Sequence, residues 1–226
     1  MLYLLLLLVV AIAPGIFLLL YVYYRDKYEK EPPALVIRTF IYGMLITFIA
    51  GTIELFFYKL FFEYFATTFV FGFALLYSFV IIGPVEEGAK YFVVVIGPFR
   101  SEEFNEPMDG IVYAVAASLG FATLENITYV LQGGLKIGLV RAFISVPVHA
   151  FLGVIMGYYF GKAKFENRKF LKQAFLYPAL LHGFFDFVLL SKTWLALFVY
   201  PFLYFMARAS LKDIKTLVEG SPFKDE

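Results

Sequence analysis

Phe79-Val-Ile-Ile-Gly-Pro-Val-Glu-Glu-Gly-Ala-Lys-Tyr-Phe-Val-Val-Val-Ile96 has the apolarity of a membrane-spanning helix, yet its middle holds Gly83-Pro84 and three ionisable residues, Glu86, Glu87 and Lys90. An ionisable side chain at bilayer depth costs roughly 2.5–3.5 kcal/mol on insertion scales, so adjacent carboxylates there need a reason. Pro84 brings no N–H to the helix ladder, and the carbonyl it leaves unpaired must find another partner. The stretch therefore reads as a weakened, water-lined helix inside a membrane.

The surrounding chain agrees with that reading. Of 226 residues, 62% are apolar and 21% aromatic, and the mean hydropathy of +0.80 lies outside the range of soluble globular domains. Apolar stretches of about 20 residues, the length needed to cross the hydrocarbon core, fall at 2–23, 35–57, 73–99, 108–131, 137–160, 170–190 and 194–209. The expected fold is an all-α, polytopic transmembrane helical bundle of about seven spans. It forms one integral-membrane domain over 1–226, with a motif-bearing core at 75–190. Residues 58–71, aromatic with Lys59 and Glu63 as their only charges, read as an interfacial stretch. The apolar run at 4–10 followed by Ala11-Ile12-Ala13 has the look of a cleaved leader, but no Lys or Arg precedes it and the run continues to Tyr24, so a retained first helix is expected.

Basic residues cluster in alternate connections: Arg25, Lys27 and Lys30; Lys162, Lys164, Arg168, Lys169 and Lys172; Arg208, Lys212 and Lys215. The positive-inside rule places these on the cytoplasmic side, giving an outside N-terminus and a cytoplasmic C-terminus. The acidic loop at 100–109 shares that side, and the rule counts only Lys and Arg. With 19 basic against 18 acidic residues and no basic concentration, nucleic-acid binding is not expected. The absence of cysteine excludes disulfides, thiolate metal sites, iron–sulfur clusters and a thiol nucleophile.

Inside the expected spans the polar residues are few: Glu54, Glu86, Glu87, Lys90, Glu125, Asn126, Arg141, His149, His182 and Asp186. The groups from Glu86 to Asp186 occupy four successive spans and converge if those helices bundle. Glu86 and Glu87 are about 100° apart on a helix, with Lys90 one turn beyond both. His182 and Asp186 share a face at i, i+4. Gly153, Gly157 and Gly161 allow a neighbouring helix to approach closely. Arg141 and Glu54 read as interface residues, Arg141 snorkelling outward, and Asp109 as the cap of the fourth span. These residues alone leave three classes open: a membrane-embedded hydrolase, a proton- or cation-coupled transporter, and a scaffold. Neither inverted halves nor paired interrupted helices, the marks of many transporters, are visible. Neither Ser118 nor Ser145 stands in a recognisable nucleophile arrangement.

Four elements in order carry a resemblance: Glu86-Glu87-Gly-Ala-Lys90; Asp109-Gly110 running to Phe121-Ala-Thr-Leu-Glu125-Asn126; His149-Ala-Phe-Leu-Gly153; and His182-Gly-Phe-Phe-Asp186. Together they resemble the PrsW family of intramembrane proteases, which is distantly similar to the CAAX-processing and bacteriocin-immunity proteases. In that wider group an arginine falls one residue after the position of Lys90, and a histidine stands where this chain has Glu125. The resemblance implies a multi-pass protease of the bacterial cytoplasmic membrane that makes the first cut in a membrane-anchored anti-sigma factor or similar single-pass protein. The expected catalytic set is Glu86, Glu87, Glu125, His149, His182 and Asp186. Glu86 activates water with Glu87 or Glu125 as helper, His182 and Asp186 stabilise the oxyanion, and Asn126 and Lys90 are candidates for binding substrate or oxyanion. No cofactor is favoured. Zinc is the alternative, with His149, His182 and Glu86 as its ligands.

Overall fold

The computed structural model describes residues 1–224, apart from the side chains at 61, 62 and 66. The described chain is helical, with α1 at Leu2–Arg25, α2 at Pro33–Phe57, α3 at Phe65–Thr68, α4 at Val70–Leu76, α5 at Gly83–Ile96, α6 at Pro107–Phe143, α7 at Ser145–Phe165, α8 at Phe170–Leu190 and α9 at Val199–Glu219. Six helical stretches are long and apolar enough to cross a membrane, α6 and α7 counting as one stretch of 59 residues.

That stretch is not one rod. Arg141 Nε donates to Asn126 Oδ1 at 2.8 Å across 15 residues, whereas a straight helix would part their backbones by about 22 Å. The chain reverses at Gly134, whose φ of 70° lies in the left-handed region that a glycine adopts without a Cβ penalty. The returning leg and α7 then run antiparallel to the first part of α6, pairing His149 with Phe121, Gly153 with Ser118 and Gly157 with Gly110.

The first part of α6 is the hub of the bundle. Every residue from 108 to 123 is buried, the signature of a helix enclosed on all sides. Small residues permit the enclosure. A Cβ on Gly157 would strike the carbonyl of Gly110 and the Cα of Ile111, and one on Gly120 would strike the carbonyl of Phe40 on α2. The expected close approach at Gly153, Gly157 and Gly161 is thus present, with α6 as the neighbour. The apolar residues of α1, α2, α6, α7 and α9 meet in one cluster around Ile111, Tyr113, Leu119 and Val154.

The stretch at 79–96 lies in a composite helix. α4 passes through a π-helical turn at Tyr77–Ile82 into α5, with Pro84 at the start of the latter. The wide turn falls immediately before the proline, where the ladder lacks a donor. It sets Glu86 in the first turn of α5. Close packing follows, since a Cβ on Gly83 would meet the carbonyl of Ala179 and the amide of Gly183 on α8. Residues 58–71, read as interfacial, form the π-helical turn Tyr58–Phe62 and the short α3, and their described side chains are largely exposed.

Candidate active site

The approach of α5 to α8 at Gly83 and Gly183 puts Glu87 against His182, while α7 lays His149 over α5 and α6. The rings of His149 and His182 meet edge to face with centroids 5.1 Å apart. Glu86, Glu87, His149 and His182 each present one donor atom within 4.8 Å of all the others, and all four residues are buried.

Lys90 sits among them with no exposed surface. Its Nζ donates to Glu87 Oε1 at 2.6 Å and to Glu86 Oε2 at 3.1 Å, and lies 2.9 Å from His149 Nδ1. The ammonium also stands 4.4 Å from the centroid of the Phe121 ring. Lys90 is therefore the internal counter-ion of the carboxylate pair. It lines neither of the two cavities at this site.

The 100° between Glu86 and Glu87 divides their surroundings. Glu87 is fully buried; its Oε1 lies 2.7 Å from His182 Nδ1, and its Oε2 has no hydrogen-bond partner. Glu86 lines two cavities that meet at its side chain. One, of about 400 Å³, runs between α2 and α6 past Thr47, Gly51, Glu54, Glu125 and Tyr129. The other, of about 210 Å³, is bounded by Arg141, His149, His182 and Asp186. Phe48, Leu55 and Tyr129 on the first cavity's rim are exposed at the flank of the bundle, the side that faces lipid in a membrane.

Both histidines have one nitrogen tied to a carboxylate. His182 Nδ1 faces Glu87, and His149 Nε2 lies 3.1 Å from Glu125 Oε2. The other nitrogen of each turns toward Glu86: His182 Nε2 is 3.8 Å from its Oε2, and His149 Nδ1 reaches it through Lys90 Nζ. His182 Nε2 is also 3.4 Å from Asp186 Oδ2, so the i, i+4 pair does share a face.

Asn126 is placed differently from the expected oxyanion donor. Its amide nitrogen donates to the carbonyl of Ala11 on α1, its oxygen accepts from Arg141 Nε, and it is fully buried. Its side chain ties α1 and the Gly134 fold-back to α6. The residue it positions, Arg141, lies on the cavity wall with Nη2 2.8 Å from Glu125 Oε2. Arg141 was read as snorkelling and Glu54 as an interface residue. Both line the cavity, and Glu54 touches each chamber. A fold-back at Gly133-Gly134 is the signal that would have returned Arg141 to Glu125. Asp109, read as a cap, sits at the third position of α6, where Oδ2 accepts from the backbone amides of Asn105 and Glu106.

Known proteins match this chain over most of its length. Residues 31–211 match the family described as PrsW family intramembrane metalloprotease. Over 207 residues the chain is 40% identical to Protease PrsW of Geobacillus kaustophilus, covering 90% of this chain and 88% of that protein. It is 39% identical to Protease PrsW of Bacillus subtilis, covering 90% and 92%, and 36% identical to that of Clostridioides difficile, covering 80% and 77%. No solved structure matches the chain.

Proposed function

Since the chain belongs to the PrsW family of intramembrane proteases and is a membrane peptidase, we propose that it makes the first cut in a membrane-anchored, single-pass protein of the anti-sigma-factor kind, at the cavity bounded by Glu86, His149, His182 and Asp186. The observation that carries this reading is the position of Glu86, the member of the carboxylate pair that reaches the cavity, with the two histidines on either side of it.

The bundle crosses the bacterial cytoplasmic membrane seven times in this reading, the α6–α7 hairpin supplying two crossings, and the whole chain is one membrane domain. With the N-terminus outside, the Gly134 reversal marks the outer end of the returning leg, and His149 lies about 22 Å along it. The cavity extends from there toward the outer leaflet along α2, where Glu54 and Leu55 of its lining lie within three residues of the helix end at Phe57. A segment unwound from a single-pass helix enters between α2 and α6, where Thr47 and Tyr129 flank the path to Glu86. Because the chain has no native cysteine, single cysteines placed at the exposed positions Leu2 and Lys224 test this orientation by labelling from either side.

In the reaction, Glu86 takes a proton from water held between it and Asp186, and the water oxygen adds to the scissile carbonyl. Lys90 and Glu87 hold Glu86 and His182 in register from behind. The developing oxyanion is met by His182 and by Arg141, the cation on the cavity wall. Collapse of the adduct breaks the C–N bond, and the proton on Glu86 passes to the leaving amine.

A metal-supported version is favoured by two observations: the family description, and the histidine pattern in which one ring nitrogen of each is held by a carboxylate, while the other nitrogen of His182 faces Glu86 and that of His149 meets Lys90 Nζ, which itself donates to Glu86. Two imidazoles and a carboxylate within 4.8 Å of one another fit a zinc-class ion, which His149, His182 and Glu86 would hold. Such an ion supplies Lewis acidity to the carbonyl and to water. Glu87 and Glu125 then orient the two histidines. The proton-accepting role passes to Asp186, whose Oδ2 lies on the cavity side 3.4 Å from His182 Nε2.

The test is cleavage of single-pass substrates in proteoliposomes before and after chelation. The glutamate route predicts chelator-resistant cutting with a modest loss in Asp186→Asn. The metal-supported route predicts abolition by chelator, recovery with Zn²⁺ and a loss above 100-fold in Asp186→Asn. Proton flux without cleavage would overturn both.

A further inference from the structure

A second buried polar group lies at the other end of the bundle, where the connection between α1 and α2 meets the start of α6. Asp26, Glu31 and Asp109 each present a carboxylate oxygen within 4.8 Å of the others, and a second set of Glu29, Glu106 and Asp109 adjoins the first through Asp109. Asp26 is 1% exposed, and Glu31 and Asp109 are fully buried.

These carboxylates have no counter-ion. Among the described residues none of the five joins an ion pair with Lys, Arg or His. The nearby cations are engaged elsewhere: Arg25 donates to the Tyr21 hydroxyl, and Lys30 donates to the backbone carbonyl of Asp26 and lies over the Tyr23 and Tyr24 rings. What is satisfied is satisfied by neutral donors. The Tyr113 hydroxyl donates to Glu31 Oε2, and backbone amides donate to Asp109 Oδ2. What remains is one oxygen on each of the three residues, Asp26 Oδ2, Glu31 Oε1 and Asp109 Oδ1, buried with no donor from another kind of residue, the acids facing one another instead, Glu31 against Asp109 and Asp26 against Glu106.

We propose that Asp26, Glu31 and Asp109 hold a hard divalent cation of the Mg²⁺, Ca²⁺ or Mn²⁺ class, which pins the α1–α2 connection to the start of α6. The donor set is oxygen only, the preference of these ions, with no imidazole or thiolate to favour zinc or copper. Glu106, whose side chain caps the start of α6 and meets Ser221 and Asp26, supplies further negative charge beside the ion. Burial and the mutual proximity of the acids push Asp26 up to about 8 and Glu31 up to about 11, the cost that a cation would relieve. The site is separate from the cavity centre and independent of the proposed reaction.

The experiment titrates Mn²⁺ into chelator-stripped full-length protein in detergent, following bound metal by electron paramagnetic resonance and unfolding by thermal melt. One Mn²⁺ is expected in wild type and in His149→Ala/His182→Ala, bound at least tenfold more weakly in Asp26→Asn/Glu31→Gln. If the acidic variant fails to fold, wild type alone decides. Tb³⁺, an oxygen-seeking ion, should give tyrosine-sensitised emission that Ca²⁺ displaces and that falls in Tyr113→Phe. Mn²⁺ binding abolished by the histidine substitutions, no binding at millimolar Mn²⁺, or no Ca²⁺-displaceable emission would each overturn the site.

Discussion

The cavity centre and the acidic cluster gather the same number of carboxylates and treat them in opposite ways. Around the cavity, Glu54, Glu86, Glu87, Glu125 and Asp186 are interleaved with Lys90, Arg141 and both histidines, and four of the five carboxylates have a charged or imidazole partner. At the far end Asp26, Glu29, Glu31, Glu106 and Asp109 meet one another and neutral partners, Tyr113, Asn105, Ser221 and backbone amides. The first arrangement holds proton donors and acceptors in fixed relation beside a space for substrate. The second has neither histidine nor paired cation among its described contacts. The lesson is that acid density alone does not distinguish a reaction centre from a tether; the company of histidine, cation and cavity does.

The comparison breaks first at Glu86. Replacing it with glutamine should reduce cleavage by at least 1,000-fold while the melting profile stays near that of wild type. A comparable loss on changing the acidic cluster would erase the distinction between the two regions. Next in size is Lys90. Lys90→Leu leaves Glu86 and Glu87 without their ammonium, and removal of one partner from a buried ion pair costs about 3–5 kcal/mol. A denaturant or thermal series should show that loss, and an unchanged midpoint would contradict the counter-ion role.

The third prediction concerns the cluster that lacks a cation. Asp26 and Glu31 have folded-state affinities for protons above those of ordinary carboxylates, Asp26 at about 8 and Glu31 at about 11. The folded protein then binds more protons than the unfolded chain, so in chelator stability is full below about pH 4 and falls as pH rises through 8. Melting at pH 5 and pH 8 should differ by several degrees in chelator and by much less in Mn²⁺. The opposite slope would contradict the geometry. Smallest of all is Lys215→Ala, which removes a 3.6 Å pair with Glu219 whose partners are 74% and 60% exposed. The expected change is within about 0.5 kcal/mol.

Much of this was legible in the sequence because membrane helices advertise themselves by length and their polar residues by rarity. Glu86, Glu87, His149, His182 and Asp186 stood out against apolar neighbours, and the helix periods placed His182 with Asp186 and Lys90 with both glutamates. What escaped was whatever depends on a reversal. Arg141 lies 15 residues from Asn126, and only the positive φ at Gly134 turns it inward. Asn126 has the chemistry of an oxyanion donor, but its amide is spent on the Ala11 carbonyl of α1, a tertiary contact that no local pattern encodes. The acidic cluster was hidden because its members sit in connections, where acids are ordinary until two distant segments bury them together.

The measurement that bears most directly on the central claim is the rate of cleavage of a single-pass, membrane-anchored substrate in proteoliposomes by wild type, Glu86→Gln and the exposed-loop control Glu102→Gln, all shown to be folded. The account predicts that wild type and the control cut at rates within about threefold of each other and that Glu86→Gln is silent. Cutting by Glu86→Gln at the wild-type rate would show that the buried glutamate–histidine centre is not where the peptide bond is broken.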